Sequence, residues 1–157
     1  MSTSSKSTND QWAHLGRSEL IALGKTIVTE RLESHGCTVT APTSLIDGRL
    51  QVRTPSGRSL EVFVSTQRVG GYVFWTKRRF QPASDRFAVI VLLGDAEDPR
   101  VYLVPSTEWR SASPPLKDRD NVGKRSEPEY GISLARSSLP ALARYDWKEG
   151  SGKDYFR

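Results

Sequence analysis

Residues Ile46 to Arg68 read IDGRLQVRTPSGRSLEVFVSTQR, and this stretch decides the fold. Leu50 and Val52 alternate with polar residues, Thr54-Pro55-Ser56-Gly57 breaks the chain, and Leu60, Val62 and Val64 then alternate again. That pattern predicts two strands joined by a tight turn. Successive strand side chains point to opposite faces. Leu60, Val62 and Val64 therefore share one face, which reads as core. Glu61, Phe63 and Ser65 share the other, and Asp47 opens the preceding strand. An Asp at a strand start and a Glu one hairpin later can converge on a divalent metal.

Working outward, Leu20, Leu23, Ile27, Val28 and Leu32 recur at helical spacing and predict a helix from about Arg17 to Ser34, stopped by Gly36. Glu19 lies in its first turn, where the helix dipole favours a carboxylate. A short strand is predicted over Cys37 to Ala41. After the hairpin, Tyr72 to Trp75 reads as a strand, with Val73 and Trp75 on one face and Tyr72 and Phe74 on the other. Its aromatic content predicts burial on much of both faces. Lys77, Arg78 and Arg79 follow as the densest basic run in the chain. The continuous apolar run Phe87 to Leu93 predicts a central strand buried on both faces, and Val101 to Val104 pairs back on it.

Ser106 and Glu108 signal the start of a short helix. Residues 111–128 carry no apolar period and read as one long exposed loop. Tyr130 to Leu134 is a short strand, and Pro140 opens a last helix. Residues 1–11 and 148–157 read as flexible tails around one domain, 12–147.

The order of these segments resembles the PD-(D/E)xK nuclease superfamily, in a small stand-alone form. The resemblance is carried by the helix with an early Glu (Gly16-Arg17-Ser18-Glu19), Asp47 at a strand start, and a hairpin strand of the form x-V-x-V-x followed by Thr. It continues through GYVFWTK, FAVIVLL, VYLVPS, PEYGISL and SLPALARYDW. It implies an α/β fold, a central mixed β-sheet flanked by helices, restriction-endonuclease-like. It also implies a DNA or other nucleic-acid partner.

The departure from that family is specific. Its second hairpin strand carries an acidic residue or Gln, any residue, then Lys; those positions fall on Phe63, Val64 and Ser65. The resemblance makes Asp47 and Glu61 the candidate metal ligands for Mg2+, with Mn2+ as a substitute. It makes Glu19, Asp47, Glu61 and Lys77 the candidate catalytic set, Lys77 standing in for the missing lysine. Without those groups the chain is a degenerate, binding-only relative that needs no cofactor. Asp47 also reads simply as a turn residue before Gly48, and Glu19 as a dipole partner.

Composition agrees with a polyanionic partner without requiring one. The chain has 157 residues, a formal charge of +5 and a pI of about 9.6. Arg17, Lys25, Arg68, Lys77, Arg78 and Arg79 are the residues expected to contact phosphates in one positive groove. Trp75 or Phe80 could stack beside them. The single cysteine, Cys37, excludes an internal disulfide and a Cys-based zinc site. No apolar run approaches the roughly 18 residues of a membrane span, and no leader-like apolar core opens the chain. A cytoplasmic protein is expected. Three readings stay open: an impaired nuclease fold that binds nucleic acid, an active metal-dependent endonuclease with migrated catalytic groups, and a protein-interaction module of a defence or mobile-element system. Oligomeric state stays open too, a dimer included.

Overall fold

A computed structural model describes residues 12, 14–40, 48–94, 98–148 and 152–157, with the side chain of residue 153 left aside. Asp47 and most of the N-terminal stretch lie outside the described residues. Helix α1 spans Arg17–Ser34. Strands β1 (Thr38–Thr40), β2 (Arg49–Arg53), β3 (Ser59–Arg68), β5 (Arg86–Leu93) and β6 (Arg100–Pro105) form one five-stranded sheet in the order β1-β2-β3-β5-β6. The β3–β5 pair is parallel and the other pairs are antiparallel. Strands β4 (Tyr72–Thr76), β7 (Leu116–Arg119) and β8 (Glu129–Ser133) form a second, antiparallel sheet in the order β4-β8-β7.

The long β3 strand separates two cores. Leu60, Val62 and Val64 face α1, together with Phe87, Val89, Val91 and Leu93 of β5. Phe63 faces the other way, with Ala88, Ile90 and Leu92, onto Val73, Leu116 and Ile132 of the small sheet. Strand β5 is therefore apolar at every second position on both sides, as its unbroken run predicts. Each such fully buried Leu, Ile or Phe contributes about 1.5–3 kcal/mol relative to an exposed one. The fold is α/β with a mixed central sheet, but the second face is covered mainly by the three-stranded sheet, together with Trp109 of the 3-10 helix Ser106–Ser111 and Leu142 of the short helix Leu139–Leu142, and not by a second long helix.

Four further expectations are corrected. The stretch 111–128 is not one loop, because Leu116–Arg119 pairs along β8 as strand β7. Leu116 supplies the buried anchor of that strand, a single apolar residue too sparse to show as a period. Strand β4 is buried on one face only, and Phe74 is 54% exposed. The C-terminal segment is packed, with Phe156 only 1% exposed in the α1-side core. Ser106 does not cap its 3-10 helix, Ser106–Ser111. Its hydroxyl instead bridges the backbone N–H and C=O of Ala83. No helix among the described residues is long and apolar enough to cross a membrane.

Candidate anion-binding cleft

The hairpin register builds the site. Thr54 to Gly57 turns the chain so that Arg53 opposes Ser59 and Arg49 opposes Phe63. Strand β2 begins at Arg49, so β3 runs five residues further, Val64 to Arg68, than its β2 neighbour. Among the described residues only the amide of Val64 bonds across, to the carbonyl of Gly48 at 3.0 Å. A Cβ at position 48 would lie 2.1 Å from the Val64 carbonyl oxygen, so the approach requires glycine there. Beyond it, the edge of β3 opens onto a cavity of about 560 Å³.

Four arginines reach this cavity from four places in the chain: Arg17 from the first turn of α1, Arg49 from β2, Arg68 from the end of β3, and Arg79 just after β4. Ser65 and Gln67 line its β3 wall, and Phe63 and Trp75 its apolar floor. Phe63 meets Trp75 edge to face at 6.4 Å. Arg68 donates to the carbonyls of Trp12 and Leu15, which ties the entry of α1 to the end of β3. Arg49 has Glu61 at 3.7 Å. No carboxylate lines the cleft among the described residues. Guanidinium forks at a concave edge focus positive potential and match phosphate oxygens in pairs.

The expected catalytic and binding residues divide around this cleft. Phe63 and Ser65 lie in it, with Arg17, Arg68 and Arg79. Glu19 does not, because its carboxylate accepts the Gly16 amide at 3.2 Å and closes the helix start. Glu61 is engaged by Arg86 at 3.0 Å and by the Gln51 amide at 3.3 Å. Lys25 is half-buried on α1 and is not a lining residue. Lys77 is turned to the small sheet, bonded to Asp118 and, at 2.7 Å, to Asp120, over the Tyr130 ring. Burial works against its charge, but the two carboxylates outweigh burial and raise its pKa. Arg78 forms a forked pair with Glu127 at 3.0 and 3.1 Å, which holds that carboxyl below its usual range. Asp47 lies outside the described residues. Arg49 and Gln67 escaped the sequence reading, although counting back from the Thr54–Gly57 turn places Arg49 opposite Phe63.

Magnesium takes hard oxygen donors, usually one or two carboxylates with water and phosphate. The described lining supplies guanidiniums, hydroxyls and one amide, and does not fit that ion. Among the described residues no three His, Cys, Asp or Glu side chains cluster as a metal site would require.

A second polar cluster lies on the small sheet. Tyr72 donates its hydroxyl to Glu129 Oε2 at 2.7 Å, and Asn121 donates to Glu129 Oε1 at 3.2 Å. Burial and the Glu129 bond push the Tyr72 phenol up to about 12, against the nearby Arg119 charge. The protonated phenol therefore contributes stability that is fully present below about pH 10 and lost as pH rises through about 12. Subtracting the 295 nm titration of Tyr72→Phe from that of the wild type should leave one phenol ionising near pH 12; a midpoint at 10 would remove the Glu129 bond from this account.

No protein-family model, no curated protein and no solved structure matches this chain.

Proposed function

We propose that this chain binds nucleic acid by its phosphate backbone in the arginine cleft, as a catalytically impaired relative of the restriction-endonuclease-like fold. The observation that carries the reading is the set of four arginines around the open edge of β3, with no carboxylate among the described lining residues. The sheet order supports the fold relationship: a meander β1-β2-β3, a parallel β5 beside β3, and one long helix on one face. Phe63 and Ser65 stand where that fold would place an acidic ligand and a lysine. Ser65 can donate a hydrogen bond to a phosphate but cannot stabilise charge as lysine does.

Phosphate contacts supply affinity without sequence preference and make it fall steeply with salt. Titrating a labelled 20-base-pair duplex at several salt concentrations tests this. Arg17→Ala and Arg79→Ala should each weaken binding and reduce the salt slope by about one. Affinity and slope equal to wild type in the double variant would end the proposal. Supercoiled plasmid in magnesium or manganese should be retarded and remain intact. Nicking would instead revive the endonuclease reading, and an unshifted plasmid would favour a protein partner.

A further inference from the structure

The β4-β8-β7 sheet has an outer face that the cleft does not use. Because strand side chains alternate, Val73, Trp75, Leu116 and Ile132 pack inward while Tyr72, Phe74, Gly131, Lys117 and Arg119 fall on the opposite side. Phe74 sits directly across from Gly131, and Gly131 directly across from Lys117. The middle of this row therefore has no side chain. A Cβ at position 131 would lie 2.1 Å from the Tyr72 hydroxyl oxygen, so the tyrosine lies flat across the glycine. Tyr72 and Phe74 stack nearly parallel, 6.1 Å apart and 21° between planes.

These rings are held differently. Tyr72 is clamped at its hydroxyl by the buried Glu129 and covered by Arg119, whose guanidinium is 4.7 Å from the ring. Phe74 has no polar atom and is more than half exposed. A large apolar ring left in water beside a preorganised partner ring, with two cations on β7 across the side-chain-free middle of β8, is complementary to a ligand with flat faces and negative charge. A purely apolar partner would leave Lys117 and Arg119 desolvated against it.

We propose that this face is a stacking platform for an unpaired base of single-stranded nucleic acid. Phe74 takes the base on its exposed ring, Tyr72 backs that ring, and Lys117 and Arg119 take the flanking phosphates. The proposal does not rest on the cleft: Trp75 faces the cleft and Phe74 faces away from it.

The test uses the full chain and fluorescence anisotropy with labelled 12-mers of dT and of U, an abasic 12-mer of equal charge, and the duplex used for the cleft. Phe74→Ala should weaken binding to the base-bearing 12-mers about tenfold. Phe74→Trp should retain it, and the abasic strand should bind weakly to wild type and variant alike. Arg17→Ala/Arg79→Ala should weaken the duplex and leave the effect of Phe74→Ala on the 12-mers in place. Wild-type affinity of Phe74→Ala for dT and U would overturn the platform. So would an equal loss on the abasic strand, which would mean that phosphates and not bases are held. Loss of duplex binding in the arginine variant with no effect at Phe74 leaves the cleft standing and the platform refuted; the reverse pattern refutes the cleft alone.

Discussion

Replacing Phe156 with alanine should cost about 3–5 kcal/mol of folding stability, a large part of the 5–15 kcal/mol typical of a domain. The ring is 1% exposed and sits among His35, Phe87 and Trp147, with centroids 5.4, 5.8 and 5.4 Å away. Its carbonyl lies 3.9 Å from the buried Cys37 thiol, and the Arg157 carbonyl accepts from the Ser56 hydroxyl at 2.8 Å. The last residues thus close the end of the α1-side core beside the β2–β3 turn. Truncation to alanine leaves a cavity lined by aromatic rings that are themselves anchored and cannot collapse into it. Urea unfolding at constant slope gives the difference directly. Removal of residues 152–157 should cost at least as much. A loss below about 1 kcal/mol in either variant would mean that the segment is a tail after all.

Gly24→Ala should destabilise the chain by about 2 kcal/mol, although alanine normally improves a helix interior by about 1 kcal/mol over glycine. The sign is decided by Thr66. A Cβ at position 24 would lie 1.9 Å from Thr66 Oγ1 and 3.3 Å from both Thr66 Cβ and Val64 Cγ1. Gly24 is buried where α1 crosses β3, so the helix must shift or the sheet must yield. Thr66 Oγ1 is buried with no hydrogen-bond partner among the described residues. Thr66→Ala alone should therefore be close to neutral. The pair Gly24→Ala/Thr66→Ala should recover most of the loss, leaving only the 3.3 Å contacts, with a coupling of roughly 1.5 kcal/mol or more. Additive losses would show that the clash is not the cause. Gly24 seats α1 on β3, and Arg17 of α1 and Ser65 and Gln67 of β3 line the cleft, so Gly24→Ala should also weaken duplex binding, and the Thr66 change should restore it.

Cys37 illustrates a residue whose role is settled by packing. It is buried, and burial pushes its thiol pKa up. Its place beside Phe156 makes it a small apolar filler of the core and not a nucleophile.

What the amino-acid order determined by itself is local and periodic. Alternation over Leu50 to Val64 with a Pro-Ser-Gly break sufficed for the β2–β3 hairpin, and helical spacing from Leu20 to Leu32 for α1. An apolar run from Phe87 to Leu93 could only be a strand covered on both sides. Each of these signals is carried by neighbours within one element, where geometry repeats every two or 3.6 residues. What only the tertiary structure decided is which face is covered and which charge is answered. Lys77 and Arg78 read as the densest basic run, yet Asp118, Asp120 and Glu127 engage them across a strand some forty to fifty residues later. Arg17, Arg49, Arg68 and Arg79 look scattered along the chain, yet they meet because β2 starts short of the end of β3. Phe74 reads as core from its neighbours and is exposed because the small sheet has only one face to bury. Pairing between distant strands has no period along the chain, so these contacts leave no local signal to read.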